Sequence, residues 1–218
     1  GRPAGRMARL LGSAPTRAPR QEPAAADRPR NVFFPLQIRH DQSIRYFCDY
    51  PFDDVLAAVV AWGERRQVVV NLKGHPANPK LMKEYLARYR EGPWLRWRDE
   101  NVHDLVQDCD ATFVVNSGVG FEALLHGKPV VMFGRAEYDC VAIRGRIENI
   151  DDAWQACVGS DPQELARRYA QFFDWFADDY AIDMSRPHAR DRRLQQLAGE
   201  IAGMLRPSVV PAETEVTI

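Results

Sequence analysis

The chain has 218 residues, enough for one generous domain or for one domain with tails. Its hydrophobic fraction of 45% and charged fraction of 27% are ordinary for a globular protein, so a packed core is expected. The formal net charge of −1 excludes a whole-chain field that would recruit nucleic acid or an anionic membrane. Any anion site must therefore be local.

The two ends of the chain differ in composition from its middle. Residues 1–30 are rich in Pro, Ala and Arg and lack the apolar core and cleavage pattern of a secretory signal. We predict a disordered linker from an upstream domain, with a transit peptide as the alternative. Residues 206–218 are predicted to be a tail. No apolar run approaches the roughly 18 residues that span a bilayer.

The cysteines are scattered, without a CxxC pair or a close histidine partner, which favours neither a metal site nor a disulfide framework. They are Cys48, Cys109, Cys140 and Cys157. Most of them are expected to be small buried hydrophobic residues. We expect a reducing, cytoplasmic setting, with peripheral association to a membrane assembly complex as an option.

Residues 31–205 alternate between apolar runs and stretches with helical periodicity. The predicted strands are, in chain order, NVFFPLQI, QVVVNLKGHP, WLRWRD, DATFVVN and KPVVMFG. The predicted helices are PFDDVLAAVVAWGERR, NPKLMKEYLARYREG, NVHDLVQDC, GFEALLHG, SDPQELARRYAQFFDWFADDYAI and ARDRRLQQLAGEIAGMLR. This alternation predicts an α/β, Rossmann-like, doubly wound parallel sheet with helices on both faces. In such sheets ligands bind beyond the carboxyl ends of the strands.

The first strand ends in the polar segment QIRHDQSIR. Its candidate ligand-binding residues are Gln37, Arg39, His40, Asp41, Gln42, Ser43 and Arg45. A solvated polar loop is the ordinary interpretation, and Asp41 could simply form a turn or cap a helix. A carboxylate, a histidine and two arginines at a strand end nevertheless indicate a site.

The second strand ends in LKGHP. Lys73 and His75 bring positive charge, Gly74 allows close approach of a ligand to the backbone, and Pro76 stiffens the loop. A lone histidine is more often structural than catalytic, so both interpretations of His75 remain open.

The fourth strand leads into NSGVGFEALLHGKPV. Asn116, Ser117, Gly118 and Gly120 stand where backbone N–H groups at a helix N-terminus can bind an anion. Ser117 can also cap the helix, and Glu122 can accept hydrogen bonds from a ribose diol. The pattern is neither a Walker motif nor a dinucleotide fingerprint.

Taken together, PLQIRHDQSI, LKGHP and NSGVGFEALLHGKPVVMFG resemble the bacterial capsule polysaccharide biosynthesis family, over roughly residues 31–183. That family includes the β-Kdo transferases, which use CMP-Kdo as donor. The resemblance implies the nucleotide-sugar-binding half of a glycosyltransferase with two Rossmann domains, the GT-B-like architecture. An acceptor-binding half would then be missing from this chain, and the segment alone would bind nucleotide with little transfer.

The resemblance also implies roles for individual residues. Asp41 matches the catalytic aspartate, and His75 matches a histidine next to the donor phosphate. The residues that would hold the CMP phosphate are Ser117, Gly118 and Gly120, and Glu122 would bind the ribose. The remaining predicted donor-binding residues are Gln37, Arg39, Ser43, Lys73 and Asn116.

The implied chemistry is coherent without a metal or other cofactor. Negative charge grows on the leaving CMP, and a helix N-terminus with His75 and Lys73 would stabilise it. Asp41 would stabilise an oxocarbenium-like transition state or form a covalent adduct. Arg39 or Arg45 would pair with the Kdo carboxylate. Expected partners are a nucleotide sugar and a glycan acceptor, but no nucleic acid.

Two other functions remain open. One is a UDP-binding domain of the sugar-nucleotide epimerase type, and the other is a non-catalytic module of capsule assembly or export. Tyr138 and Asp139, after the last strand, are further candidates for donor contact. The segment VHDLVQDCD is interpreted as structural.

Overall fold

The computed structural model describes residues 29–77, 79–180 and 187–204. The predicted linker, apart from residues 29 and 30, and the predicted tail lie outside the described residues. Within them, no helix combines the length and apolar character needed to cross a bilayer.

In the part of the chain that the structure describes, six parallel strands form one sheet in the order β3-β2-β1-β4-β5-β6. The strands are β1 (Asn31–Pro35), β2 (Val69–Lys73), β3 (Leu95–Trp97), β4 (Ala111–Val114), β5 (Val130–Met132) and β6 (Ile143–Arg144). Strand order runs outward in one direction from β1 and in the other from β4. This is the doubly wound Rossmann order, and it confirms the predicted fold class. The topological switch point lies between β1 and β4.

Helices connect the strands and cover both faces of the sheet. They are α1 (Gln42–Phe47), α2 (Phe52–Arg66), α3 (Pro79–Arg88), α4 (Val102–Asp108), α5 (Gly118–Leu125), α6 (Ile150–Val158), α7 (Pro162–Trp175) and α8 (Pro187–Met204). A single π-helical turn, Phe176–Tyr180, continues α7. The N-caps of α4, α5 and α7 are Asn101, Ser117 and Asp161, and each accepts a hydrogen bond from the backbone N–H two residues further along the chain.

Two apolar clusters pack on opposite faces of the sheet. One centres on α2, whose buried Val55, Leu56, Val59 and Trp62 recur at helical spacing. The other brings α5 and the aromatic helix α7 together around Phe121, Phe172 and Phe173. Strands such as β4, with every residue buried, are apolar throughout because both faces are covered.

Three elements were not predicted. Helix α1 stands where a polar loop was expected, and strand β6 has only two residues, too few to show a pattern. Helix α6 buries Ile150, Ala153, Trp154 and Cys157, a helical spacing that the sequence does contain. All four cysteines are free, with Cys109 and Cys157 buried and Cys140 exposed.

Candidate functional site

Hydrogen bonds join the loops that follow β1 and β4 at the switch point. The Gln37 side chain donates to Asn116 Oδ1 (2.9 Å) and accepts from the Asn116 backbone N–H (3.2 Å). The Asn116 amide in turn donates to the Ser43 carbonyl (2.8 Å). Gln37, Ser43 and Asn116, which are far apart in sequence, are therefore brought together at the carboxyl edge of the sheet.

Asp41 belongs to the same edge. Its carboxylate caps α1 by accepting from the Ser43 backbone N–H (2.7 Å), so the ordinary interpretation of this residue as a helix cap describes a real contact. Hydrogen bonds from the Ser43 side chain and backbone lower the pKa of Asp41, and a smaller attraction to His75 adds to the effect. Asp41 is thus an exposed, ionised carboxylate at neutral pH.

His75 lies in the loop after β2, half-buried. Its Nδ1 accepts a hydrogen bond from the Ala77 backbone N–H (3.2 Å), which leaves the proton of the neutral ring on Nε2. Gly74 precedes it, and a Cβ there would collide with Met82 of α3. A small pocket adjoins this loop and is lined by Leu36, Gln37, His75, Leu81, Met82 and Tyr85.

Arg39 has its guanidinium engaged by α2 and α3. Its Nε lies 3.0 Å from Asp53 Oδ2, and its terminal nitrogen donates to Glu84 (2.9 Å). Tyr85 lies under it, with the cation 5.4 Å from the ring centroid, and donates its hydroxyl to Asp53. Hydrogen bonds to Glu84 and Tyr85 raise the pKa of Arg39 further above its usual range. These contacts give Arg39 a structural role, and its predicted donor contact stays a prediction.

Lys73 and Arg45 differ from Arg39. Lys73 Nζ donates to the Asp99 carbonyl (3.1 Å), which directs it towards the end of β3. Arg45 is exposed, with its guanidinium 6.0 Å from the ring centroid of Tyr46 on the same helix. The donor contact predicted for Lys73 stays a prediction.

The N-terminus of α5 opens at the switch point. Ser117 Oγ accepts from the Val119 N–H (3.2 Å), and the Ser117 carbonyl accepts from the Gly120 N–H (2.9 Å). Gly118 is exposed, and a Cβ placed on it would meet no atom within 4 Å. Within the described residues, the Gly118 N–H has no acceptor, so it is available to an anion.

Gly120 has a packing reason to be glycine. It is buried, and a Cβ on it would lie 2.9 Å from Tyr138 Cε2 and still closer to the hydroxyl. Tyr138 is 1% exposed and donates its hydroxyl to the Ser117 carbonyl. Tyr138 therefore supports the first turn of α5 from behind, and its burial contradicts the expectation that it touches the donor. The phosphate contact predicted for Gly120 stays a prediction.

Glu122 lies one turn into α5, half-buried, beside a pair of histidines. Its Oε2 is 4.0 Å from Nε2 of His103, and His103 Nδ1 is 3.0 Å from Nε2 of His126. The sequence predicts a structural role for VHDLVQDCD, and that prediction does not include the contact between His103 and Glu122. The sequence feature that could have indicated this contact is the position of His103 in the first turn of α4. Among the described residues, no group of three or more His, Cys, Asp or Glu is arranged to hold a metal ion.

Comparisons with known proteins agree with the sequence resemblance. A model of the family described as capsule polysaccharide biosynthesis protein matches residues 8–170. The capsule polysaccharide modification protein LipB from Neisseria meningitidis serogroup A is 29% identical over 150 residues, covering 63% of this chain and 35% of LipB. LipB from serogroup B gives the same values. The chain thus spans about a third of the length of these curated relatives.

Solved structures show more distant likeness. KpsC from Thermosulfurimonas dismutans, described as a β-Kdo 2,7 transferase, is 24% identical with a TM-score of 0.39, over 49% of this chain and 34% of that one. MnaA from S. aureus, solved with UDP, is 12% identical with a TM-score of 0.46, over 80% of this chain and 47% of that one.

Proposed function

The chain belongs to the capsule polysaccharide biosynthesis protein family, and we propose that it is the nucleotide-sugar-binding part of a glycosyltransferase in that process. The favoured donor is CMP-Kdo or a similar sugar nucleotide. Family membership establishes the process, whereas the donor and the transfer reaction are the proposal.

The observation that carries the proposal is the hydrogen-bonded junction at the switch point. Asp41 accepts from Ser43, Ser43 accepts from Asn116, and Asn116 precedes the open N-terminus at Ser117. This continuous path holds a carboxylate and an anion-binding helix end at the edge where doubly wound sheets bind nucleotides. The sequence resemblance to β-Kdo transferases supports CMP as the nucleotide.

In the proposed complex, the phosphate of CMP lies at the first turn of α5. The Gly118 N–H donates to a phosphate oxygen, and the bare Cα of Gly118 lets the phosphate approach. His75, with its proton on Nε2, donates to the same group and stabilises the charge that grows as the glycosidic bond breaks. Glu122 accepts from the ribose hydroxyls.

In this proposal Asp41 acts on the anomeric carbon of the donor sugar. Because its pKa is lowered, it is ionised at neutral pH and can stabilise positive charge at the anomeric carbon. Alternatively it attacks that carbon, so that a carbon–oxygen bond forms as the bond to the phosphate oxygen breaks and CMP leaves. Either role leaves the acceptor glycan to a separate binding region. A further domain supplying it, and peripheral association with a membrane assembly complex, are parts of the proposal.

Isothermal titration of the chain with CMP and with UDP tests the nucleotide site. We expect CMP to bind, and His75→Ala and Glu122→Gln each to weaken it about tenfold, equivalent to ~1.4 kcal/mol. Glu64→Gln is the matched control, because Glu64 is an exposed carboxylate on α2, and it should leave the affinity unchanged.

The titration also separates the alternatives. Tighter binding of UDP than of CMP would favour an epimerase-type domain, and binding of neither nucleotide would favour a non-catalytic module. Transfer itself is tested with the longer natural protein that contains this chain. Asp41→Ala should abolish Kdo transfer there while CMP still binds, and surviving transfer would contradict the catalytic role of Asp41.

A further inference from the structure

Two histidines beside Glu122, His103 and His126, have no role in the proposed transfer reaction. His103 is the second residue of α4, and His126 is the C-cap of α5, four residues after Glu122 and so on the same face of that helix. The two imidazole rings are tilted by 55° with centroids 5.2 Å apart. Gln107, one turn along α4 from His103, completes the group with its Nε2 at 3.3 Å from His126 Nδ1.

The hydrogen bonds determine which nitrogen of each neutral ring carries the proton. The Gln107 amide nitrogen can only donate, so His126 Nδ1 accepts and His126 carries its proton on Nε2. His126 Nε2 then donates to His103 Nδ1 at 3.0 Å, which places the proton of His103 on its own Nε2. That nitrogen is the one that lies 4.0 Å from the Glu122 carboxylate. A directed chain of hydrogen bonds therefore runs from Gln107 to His103, whose Nε2 lies near Glu122 at a distance too long for a hydrogen bond.

We propose that His103, oriented by His126, is a positioning residue for Glu122, and that the pair takes up a proton when a nucleotide occupies the site. This inference rests on the proposed nucleotide site and concerns its regulation by pH. The proton comes from solvent, and no bond between heavy atoms is made or broken.

The direction of the effect follows from charge. A bound nucleotide brings a negative phosphate to α5 and withdraws water from Glu122, so a positive charge on the neighbouring imidazole becomes more favourable. Protonated His103 would need His126 to accept at Nε2, which moves the His126 proton to Nδ1. Gln107 must then turn its amide so that its oxygen accepts that proton. The pair therefore holds one extra proton, not two.

The surrounding groups place that proton on His103. Burial lowers the pKa of His126, and the nearby His103 and Lys128 lower it further. His103 is the more exposed partner and is the one that faces Glu122. Charged groups beside the pair include Glu122 next to His103 and Lys128 next to His126, with Lys128 held by the Cys109 carbonyl at 2.9 Å. Asp104 lies on α4 beside His103 in sequence.

The test is calorimetric titration with the methyl phosphodiester of CMP, whose phosphate does not titrate in the range where histidine does, between about pH 5 and 8. Measurement in two buffers of different ionisation enthalpy reports the protons taken up on binding. We expect the native chain to take up a fraction of a proton, and its affinity to rise about 3- to 10-fold from pH 8 to pH 5.5.

Variants separate positioning from a merely structural role. His103→Gln retains a donor towards Glu122 but cannot titrate, so it should bind at pH 8 yet show less proton uptake and a smaller rise in affinity than the native chain. His103→Phe should bind more weakly at every pH. His188→Gln, which removes a histidine of α8, outside the segments predicted to bind the donor, is the control and should keep the proton uptake of the native chain.

Unchanged proton uptake in His103→Gln, or an affinity of the native chain that does not vary with pH, would overturn the inference while leaving the nucleotide site in place. Absence of binding at every pH would overturn the nucleotide site itself and this inference with it.

Discussion

The loop after β1 and the loop after β4 meet at the same edge of the sheet but use their polar residues differently. After β1, the guanidinium of Arg39 is held by Asp53, Glu84 and Tyr85, which lie on the two helices beside it. After β4, the Gly118 N–H has no acceptor within the part of the chain that the structure describes. In the loop after β1 the charged group is paired with other residues of the fold, whereas in the loop after β4 a backbone N–H remains available to a ligand.

The same contrast holds between two glycines of the SGVG turn. Gly118 is open to solvent, whereas Gly120 is buried against Tyr138. Both were expected to admit a phosphate; Gly118 has open space beside its Cα, and the phosphate contact of Gly120 stays a prediction. Composition at a strand end thus indicates where a site can be, and the partners of each group determine which residues remain available to a ligand.

The largest difference in stability is expected between alanine substitutions at the two glycines. Gly120→Ala should lower the free energy of unfolding by about 1–3 kcal/mol, because its Cβ would overlap the buried ring of Tyr138. Gly118→Ala should change stability by less than about 1 kcal/mol, since its Cβ meets open space. Urea denaturation of the two variants measures the difference, and equal losses would contradict the assignment of packing to Gly120 alone.

A smaller effect on stability is expected from removing the paired charge of Arg39 after β1. Arg39→Gln should lower the free energy of unfolding by about 1 kcal/mol, because Asp53 and Tyr85 lose a charged partner in a half-buried setting. Arg45→Gln is the matched control in the same loop region and should have almost no effect, because Arg45 is exposed. Denaturation curves in which both variants lose the same stability would remove the distinction between the two arginines.

The smallest effect concerns the charge on the cap of α1. Asp41→Asn keeps a capping oxygen but removes the charge, which should cost about 0.5 kcal/mol at pH 7. Since the pKa of Asp41 is lowered in the folded protein, this stabilisation is complete above the unfolded value of about 4 and is lost as pH falls through the folded pKa. Unfolding of the native chain and the variant between about pH 7 and pH 3 should show the gap closing. If the difference in stability between the native chain and Asp41→Asn widened in acid, the charge of Asp41 would not be the source of the stabilisation.

Much of the fold could be predicted because it depends on local pattern. The five longer strands and the helices α2, α3, α4, α5, α7 and α8 all stand close to where apolar periodicity placed them. Helix α1 was missed because a polar segment of six residues buries only Ile44 and owes its start to the Asp41 cap. The π-helical turn after α7 continues a helical pattern, so periodicity could not distinguish it from α-helix.

The sequence indicated which strand ends form the candidate site, but not the partners of the individual residues there. Strand ends at a switch point follow from strand order, and Gln37, Ser43 and Asn116 indeed meet there. The partners of Arg39 and the ring that covers Gly120 lie on other elements, so no local spacing reveals them. The position of His103 at the start of a helix was visible in the sequence, but its contact with His126 was not, because the two residues are 23 positions apart.

By itself, the sequence determined the alternation of strands and helices, the caps of α4, α5 and α7, and the three polar strand ends, since each depends on residues close together in the chain. Only the tertiary structure decided which of those polar groups stay open. It turned Arg39 inward, placed Tyr138 behind Ser117, and set His103 against Glu122. The physical reason is that a hydrogen bond or an ion pair depends on distances of a few ångströms between elements, and these distances exist only once the sheet and its helices have packed.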